Sequence, residues 1–204
     1  QGKKSPGPLQ FCHQRIGLPD RLDPDYAADI QTHNMNIKQD KALYDFFTKD
    51  HRRIEKDFEE ATKTKNNVDL EKYGEFRIGL LTHIKMEEKI LFVAAQKANG
   101  GEPLPLQAKL RLDHGALTSL LVCFPSPEVI RMIDHIMEQH DILEEEQGGM
   151  YEACEKLTQH ETRQILEDLK NVTPVPVHPF NEASYVLDVA KRSAKRAGFD
   201  FDTI

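Results

Sequence analysis

Apolar side chains recur every three or four residues along four successive segments of this 204-residue chain. This spacing places them on one face of an α-helix, and no stretch shows the alternation that is typical of a strand. The turns between the segments are short, so the helices should pack as antiparallel neighbours. The sequence therefore predicts an all-α protein built on an up-down-up-down four-helix bundle.

Capping and breaking residues mark the ends of these helices. The first helix should run from Ile37 to about Thr62, and Asp69 is placed to cap the second. Ser126 is placed to cap the fourth helix, which the pair Gly148-Gly149 should bend or interrupt. The helix boundaries can therefore be predicted from a few residue types.

The regions on either side of the bundle have a different composition. Residues 1–37 are rich in proline and poor in apolar residues, which predicts an extended arm rather than a domain. Residues 38–158 should form the bundle, and residues 159–204 a C-terminal helical extension. Within this extension, the proline-rich run from Thr173 to Pro179 should be an extended connector, and Asn181 can cap the last helix.

Composition excludes several classes of function. The net charge is -7 and large basic clusters are missing, so nucleic acid is not an expected partner. No apolar run approaches the roughly twenty residues that cross a bilayer, so no membrane partner is expected either. The three cysteines are scattered without Cys-x-x-Cys spacing, which favours a reducing compartment over a disulfide framework or a thiolate zinc site. We expect a cytoplasmic protein.

A histidine interrupts the apolar face of every predicted bundle helix. These four histidines are His51, His83, His114 and His140. A single inward histidine is usually a hydrogen-bonded core residue, but four of them at matching places indicate a shared polar site.

Two of the histidines are followed four residues later by a glutamate, as His83-x-x-x-Glu87 and His140-x-x-x-Glu144. Four residues turn a helix through about 400°, so each glutamate should share the inward face of its histidine. Buried carboxylates need a positive partner, and no inward lysine or arginine is patterned to supply one. Imidazole and carboxylate donors together suit iron, manganese or zinc, and glutamates from facing helices can bridge two metal ions.

Glu145 is an alternative to Glu144 as the second bridging carboxylate. It lies five residues after His140, and five residues rotate a helix about 140° away from the starting direction. Helical phase therefore favours Glu144.

Four short motifs resemble those of the hemerythrin, or HHE cation-binding, family over roughly residues 38–158. They are Asp50-His51, His83-Ile-Lys-Met-Glu87-Glu88, Asp113-His114 and His140-Asp-Ile-Leu-Glu144-Glu145. The resemblance implies a non-haem di-iron centre that is bridged by two carboxylates and an oxo or hydroxo group. It also implies that the four histidines are terminal ligands and that Glu87 and Glu144 are the bridges.

The third helix departs from the pattern of oxygen-carrying hemerythrins, which have two histidines four residues apart there. In this chain, Leu110 and Thr118 flank His114, so a fifth histidine ligand is missing. Fewer protein ligands leave more positions for water, oxygen or peroxide, which favours redox turnover or sensing over oxygen carriage. The expected function is that of a di-iron protein that binds oxygen, peroxide or iron, with a role in sensing, storage or detoxification.

Other functions use the same residues. A di-iron enzyme with peroxidase-like or oxidase-like activity would use the open positions, and a regulatory module would use metal binding to order the helices. The simplest alternative is a helical bundle that binds no metal and in which hydrogen bonds satisfy the buried polar groups. Ferritin-like di-metal bundles use Glu-x-x-His, and Glu138 stands too close to His140 for that motif. The expected partners are small ligands such as oxygen or peroxide, and the sequence indicates no particular protein partner.

Overall fold

A computed structural model describes residues 41–64 and 67–204. The predicted arm over residues 1–37, and the beginning of the first helix at Ile37, lie outside the described residues. In the described part, the chain is helical without a β-strand, and Thr64 and Asn67 form only an isolated bridge. The predicted all-α class is confirmed.

Eight α-helices are described in these ranges. They are α1 (Ala42–Thr62), α2 (Leu70–Met86), α3 (Phe92–Ala98), α4 (Gln107–Leu120), α5 (Pro127–Glu145), α6 (Met150–Leu157), α7 (Thr162–Lys170) and α8 (Ser184–Ala197). A π-helical turn, Glu87–Leu91, joins α2 to α3, and a short 3-10 turn, Phe201–Thr203, follows α8. None of the helices in the described ranges is long and apolar enough to cross a membrane.

Two of the predicted caps are confirmed. The carboxylate of Asp69 accepts hydrogen bonds from the backbone N–H groups of Glu71 at 3.1 Å and Lys72 at 3.2 Å. The hydroxyl of Ser126 accepts one from the N–H of Val129 at 3.4 Å. Side-chain oxygens at these positions satisfy donors that the first helical turn leaves without a partner.

The predicted cap at Asn181 is wrong. The last helix begins at Ser184, and its N-cap residue is Ala183. Asn181 lies two residues before this N-cap and accepts a hydrogen bond from the backbone N–H of Ala183. Between the glycine pair and the proline-rich connector, the chain forms two helices, because α6 ends at Leu157 and α7 begins only at Thr162.

The core has two apolar clusters with a polar layer between them. On α1, Phe47 belongs to one cluster and Ile54 to the other, with His51 between them. On α4, Leu110 and Leu117 are divided in the same way around His114. The histidines therefore lie where the two apolar clusters meet.

The helices after Thr158 contribute to both clusters. Ile165 and Leu169 of α7 are buried in the cluster that contains Phe47, and Ala190 of α8 in the one that contains Ile54. The domain boundary between residues 158 and 159 stays a prediction.

Candidate metal centre

All four histidines are buried, as their helical phase predicts. Their Nε2 atoms meet in two pairs. In the first pair, His51 and His83 approach to 2.9 Å between the Nε2 atoms. In the second pair, His114 and His140 approach to 3.2 Å. Two imidazole nitrogens at these distances can share at most one well-placed proton, which favours a cation as their common partner.

Glu87 lies between the two pairs, at the first residue of the π-helical turn. Its Oε1 is 3.2 Å from Nε2 of His83, and its Oε2 is 3.1 Å from Nε2 of His114. The side chain is fully buried. Single π-helical turns inside α-helices are frequent at functional sites.

Glu144 lies opposite and is equally buried. Its Oε2 is 3.4 Å from Nε2 of His51, and its Oε1 is 3.3 Å from Nε2 of His140. Glu145 points elsewhere: its Oε1 lies 2.6 Å from Nδ1 of His51, and it forms an ion pair with Arg52. The two neighbouring glutamates therefore contact opposite sides of one imidazole.

A carboxylate also lies beside the outer nitrogen, Nδ1, of every imidazole. The Nδ1-to-oxygen distances are 2.6 Å for His51–Glu145, 3.0 Å for His83–Asp50, 2.9 Å for His114–Glu88 and 3.5 Å for His140–Asp113. Carboxylates at this place fix the tautomer and orientation of imidazole ligands and raise their basicity. The acidic neighbours in the four motifs thus act across helices, since Asp50 precedes His51 in the chain but contacts His83.

Opposite charges in the cluster shift the pKa values of its imidazoles and carboxylates. Burial alone would lower the pKa of the imidazoles, but the carboxylates raise the pKa of His51 well above its ordinary value and that of His140 to about 10. Burial alone would raise the pKa of Glu87, but the imidazoles hold it well below its ordinary value. These opposite shifts show that the imidazoles and carboxylates attract one another, and a cation would compete with protons for the same nitrogen and oxygen atoms.

The donor set fits a metal ion. Oε2 of Glu87 and Oε1 of Glu144 are buried and have no well-aligned hydrogen bond among the described residues. Buried polar oxygens nearly always have a partner. Two groups of side chains have donor atoms close enough to hold a metal ion, namely His51, His83, Glu87 and Glu144, and Glu87, His114, His140 and Glu144. The structure thus brings together all six residues that the sequence predicts as ligands.

Tyr151 on α6 also reaches the cluster, which the sequence analysis did not predict. Its hydroxyl oxygen is 2.9 Å from Nε2 of His51, 3.3 Å from Nε2 of His83, 2.5 Å from Oε1 of Glu87 and 2.8 Å from Oε2 of Glu144. The available signal was its position seven residues after Glu144, which is two turns later on the same face of a continuous helix.

The predicted interruption at Gly148-Gly149 is confirmed, and it positions Tyr151. Helix α5 ends at Glu145 and α6 begins at Met150. Gly148 has φ +82°, which favours glycine. A Cβ atom on Gly149 would lie only 2.8 Å from the carbonyl oxygen of Glu144. The backbone conformation therefore favours glycine at position 148, and the close approach of the carbonyl oxygen favours glycine at position 149.

A cavity of about 20 Å³ adjoins the cluster. Three of the four imidazoles line it, and Leu80, Leu117 and Met137 contribute apolar walls. This volume accommodates about one water-sized molecule. This cavity therefore has room for a very small ligand beside the cluster.

Comparison of the chain with protein-family models, with curated proteins and with solved structures found no match.

Proposed function

We propose that this chain is a non-haem di-iron protein that binds oxygen, peroxide or iron itself and acts in sensing, storage or detoxification. One observation carries the proposal: each of two buried carboxylates, Glu87 and Glu144, directs one oxygen toward each pair of imidazoles. Carboxylates that project from facing helices in this way can be shared by two metal ions.

In this proposal, His51 and His83 hold the metal at the first position, and His114 and His140 hold the metal at the second. Glu87 and Glu144 bridge the two positions, while Glu145 supports His51 from its outer side. Mixed imidazole and carboxylate donors suit iron, and also manganese or zinc. The resemblance of the four motifs to the hemerythrin-like family favours iron.

The same proposal takes α1, α2 with α3, α4 and α5 as the four members of an up-down-up-down, hemerythrin-like bundle. The contacts that support it are those of α1 with α2 and α5, and of α4 with α5. Each of the four members then contributes one histidine, and two of them also contribute a bridging glutamate.

The proposed ligand is small. His114 is flanked by Leu110 and Thr118, and no fifth histidine joins the cluster among residues 41–64 and 67–204. A bound di-iron centre would supply one-electron redox chemistry and open coordination positions. Together with the small cavity beside the imidazoles, these open positions favour redox turnover or sensing over protected oxygen carriage.

An iron count tests the proposal. Chain loaded anaerobically with iron(II) should retain two iron ions, and His83→Ala and His114→Ala should each retain one or none. His135→Asn is the matched control, because His135 lies on α5 but packs against Phe199 rather than in the cluster. Retention of fewer than two ions by the unaltered chain, or of two by both cluster variants, would contradict the proposal.

Exposure of the loaded protein to oxygen separates carriage from turnover. A stable oxygenated species that releases oxygen on evacuation would argue for carriage and against sensing or detoxification.

The second candidate function is a di-iron enzyme with peroxidase-like or oxidase-like activity, which the cavity against both imidazole pairs favours. Catalytic consumption of peroxide that is lost in His83→Ala would select the enzyme.

A further inference from the structure

The hydroxyl oxygen of Tyr151 is close to all four donor atoms of the first metal position. Its distances to His51 Nε2, His83 Nε2, Glu87 Oε1 and Glu144 Oε2 range from 2.5 to 3.3 Å. This hydroxyl group is fully buried at the point where the four side chains converge.

We propose that Tyr151 is a fifth protein ligand of the metal at the first position. This inference rests on the proposed di-metal centre and adds a residue to it. Metal ions bind nitrogen and oxygen donors at about 2.0–2.2 Å, so neighbouring donors on one octahedral ion lie about 3 Å apart. Three of the four spacings, 2.8, 2.9 and 3.3 Å, agree with that value, and the contact with Oε1 of Glu87 is shorter, at 2.5 Å.

The other donors of this position agree with the same geometry. The Nε2 atoms of His51 and His83 are 2.9 Å apart, and Nε2 of His83 is 3.2 Å from Oε1 of Glu87. Nε2 of His51 is 3.4 Å from Oε2 of Glu144. The five atoms are therefore arranged as neighbouring ligands of one ion, with the phenol oxygen adjacent to each of the other four.

The second position has no such group among the described residues. There, the ring of Phe92 stacks on His114, with the centroids 6.1 Å apart and the planes at 10°. At the first position, the ring of Tyr151 stacks on Phe47, with the centroids 5.0 Å apart and the planes at 26°. An aromatic ring packs near both positions, but only one ring carries a hydroxyl group.

The two metal positions are consequently unlike. The first has five protein donors, and the second has four, namely two imidazole nitrogens and one oxygen from each bridging carboxylate. A small ligand therefore has more open coordination positions at the metal held by His114 and His140.

The spectrum of the iron(III)-loaded protein tests this inference. An iron(III)–phenolate bond absorbs visible light by charge transfer, and excitation in that band enhances the Raman vibrations of the phenolate ring. We expect these vibrations with an intensity of one phenolate for two iron ions. They should shift when the chain is produced with ring-deuterated tyrosine, which identifies the ligand without any substitution.

Two variants assign the signal to a residue. Tyr151→Phe should keep its helix content and lose completely the phenolate vibrations per bound iron ion. Tyr44→Phe is the matched control, because the Tyr44 ring lies 6.4 Å from that of Tyr151 while its hydroxyl group donates a hydrogen bond to the backbone oxygen of Glu145. This control should keep the signal.

The outcomes are distinct. Two bound iron ions without phenolate vibrations in the unaltered chain would overturn the role of Tyr151 and leave the di-iron proposal intact. Unchanged vibrations in Tyr151→Phe would also overturn it. Failure to bind iron at all would instead overturn the proposed function, and with it this inference. If Tyr151→Phe does not fold, the deuterium shift in the unaltered chain still decides whether a tyrosine is a ligand.

Discussion

At the scale of single residues, two glutamates that are adjacent in the chain enclose one imidazole from both sides. The pair Glu144-Glu145 contacts both ring nitrogens of His51, at 3.4 Å and 2.6 Å. The pair Glu87-Glu88 does the same for His114, at 3.1 Å and 2.9 Å. The inner glutamate of each pair is fully buried, whereas the outer one is partly exposed. The same residue type therefore has two separable roles.

Identical substitutions at neighbouring positions should separate these roles. Glu144→Gln removes a charge between the two metal positions, so we expect the loss of at least one bound iron ion per chain. Glu145→Gln leaves every proposed ligand in place and removes the carboxylate that supports His51 and pairs with Arg52. We therefore expect two bound ions with roughly 10-fold to 100-fold weaker affinity. Elemental analysis and competitive metal titration measure both effects.

Glu146→Gln is the control, because Glu146 is the next residue and is exposed. It should change neither the metal count nor the affinity. If Glu145→Gln lost a metal ion while Glu144→Gln kept both, Glu145 would be the bridge and the assignment made from helical phase would be wrong.

The direction of side chains on a regular helix could be predicted from the sequence. His51, Glu87 and Glu144 all point inward, because the helical period alone fixes the face on which they lie. The contact of Asp50 with His83 could not be predicted, because it depends on the distance between two helices. Tyr151 was missed because the helix breaks at Gly148-Gly149. The helical period of α5 therefore does not predict which way a side chain at position 151 points.

At the scale of elements, the chain takes different paths after the two proposed bridging glutamates, Glu87 and Glu144. The chain continues from Glu87 into a π-helical turn and on to α3, whereas it ends α5 just after Glu144 and turns at Gly148-Gly149. The break was predictable, since glycine pairs interrupt helices. The π-helical turn was not, because its residues, Glu-Glu-Lys-Ile-Leu, form ordinary α-helix equally well.

Substitution of the second glycine tests whether the turn before Tyr151 requires a residue without a side chain. A Cβ atom in Gly149→Ala would lie 2.8 Å from the carbonyl oxygens of Glu144 and Glu146, and such backbone atoms cannot yield easily. We expect the free energy of unfolding to fall by about 1–3 kcal/mol. Urea denaturation of the metal-free protein measures this change.

Gly74→Ala is the matched control, because Gly74 lies inside α2 with no heavy atom within 4 Å of a built Cβ. Since alanine favours helix over glycine, this variant should be more stable by about 0.5–1 kcal/mol. Equal effects of the two substitutions on the free energy of unfolding would mean that the turn tolerates a side chain at position 149, and that glycine is not required there.

At the scale of the whole molecule, a layer of buried charge separates two apolar clusters. The all-α class was predictable from periodicity, but the contribution of α7 and α8 to these clusters was not, since it depends on how the helices pack. Charge buried in a core is costly unless it is paired. Protons or metal ions that pair this charge should therefore control the stability of the whole domain.

The sign of the pH dependence follows from the direction of the pKa shifts. The pKa of the imidazoles is raised on folding, to about 10 for His140, so their stabilisation is full below pH 6.5 and is lost as the pH rises through the folded value. The pKa of Glu87 is lowered, so its stabilisation is present above pH 4.5 and is lost as the pH falls. Without metal, the protein should be most stable between these values.

Metal ions should remove this loss of stability on the alkaline side. Between pH 6.5 and 8.5, the metal-free chain should lose about 1.4 kcal/mol per pH unit for each imidazole that stays protonated only when folded. Metal binding displaces these protons, so its stabilisation should grow with pH. Urea denaturation with and without zinc, which has no redox chemistry, measures both slopes. Parallel slopes with and without zinc would show that the buried imidazoles do not bind the metal.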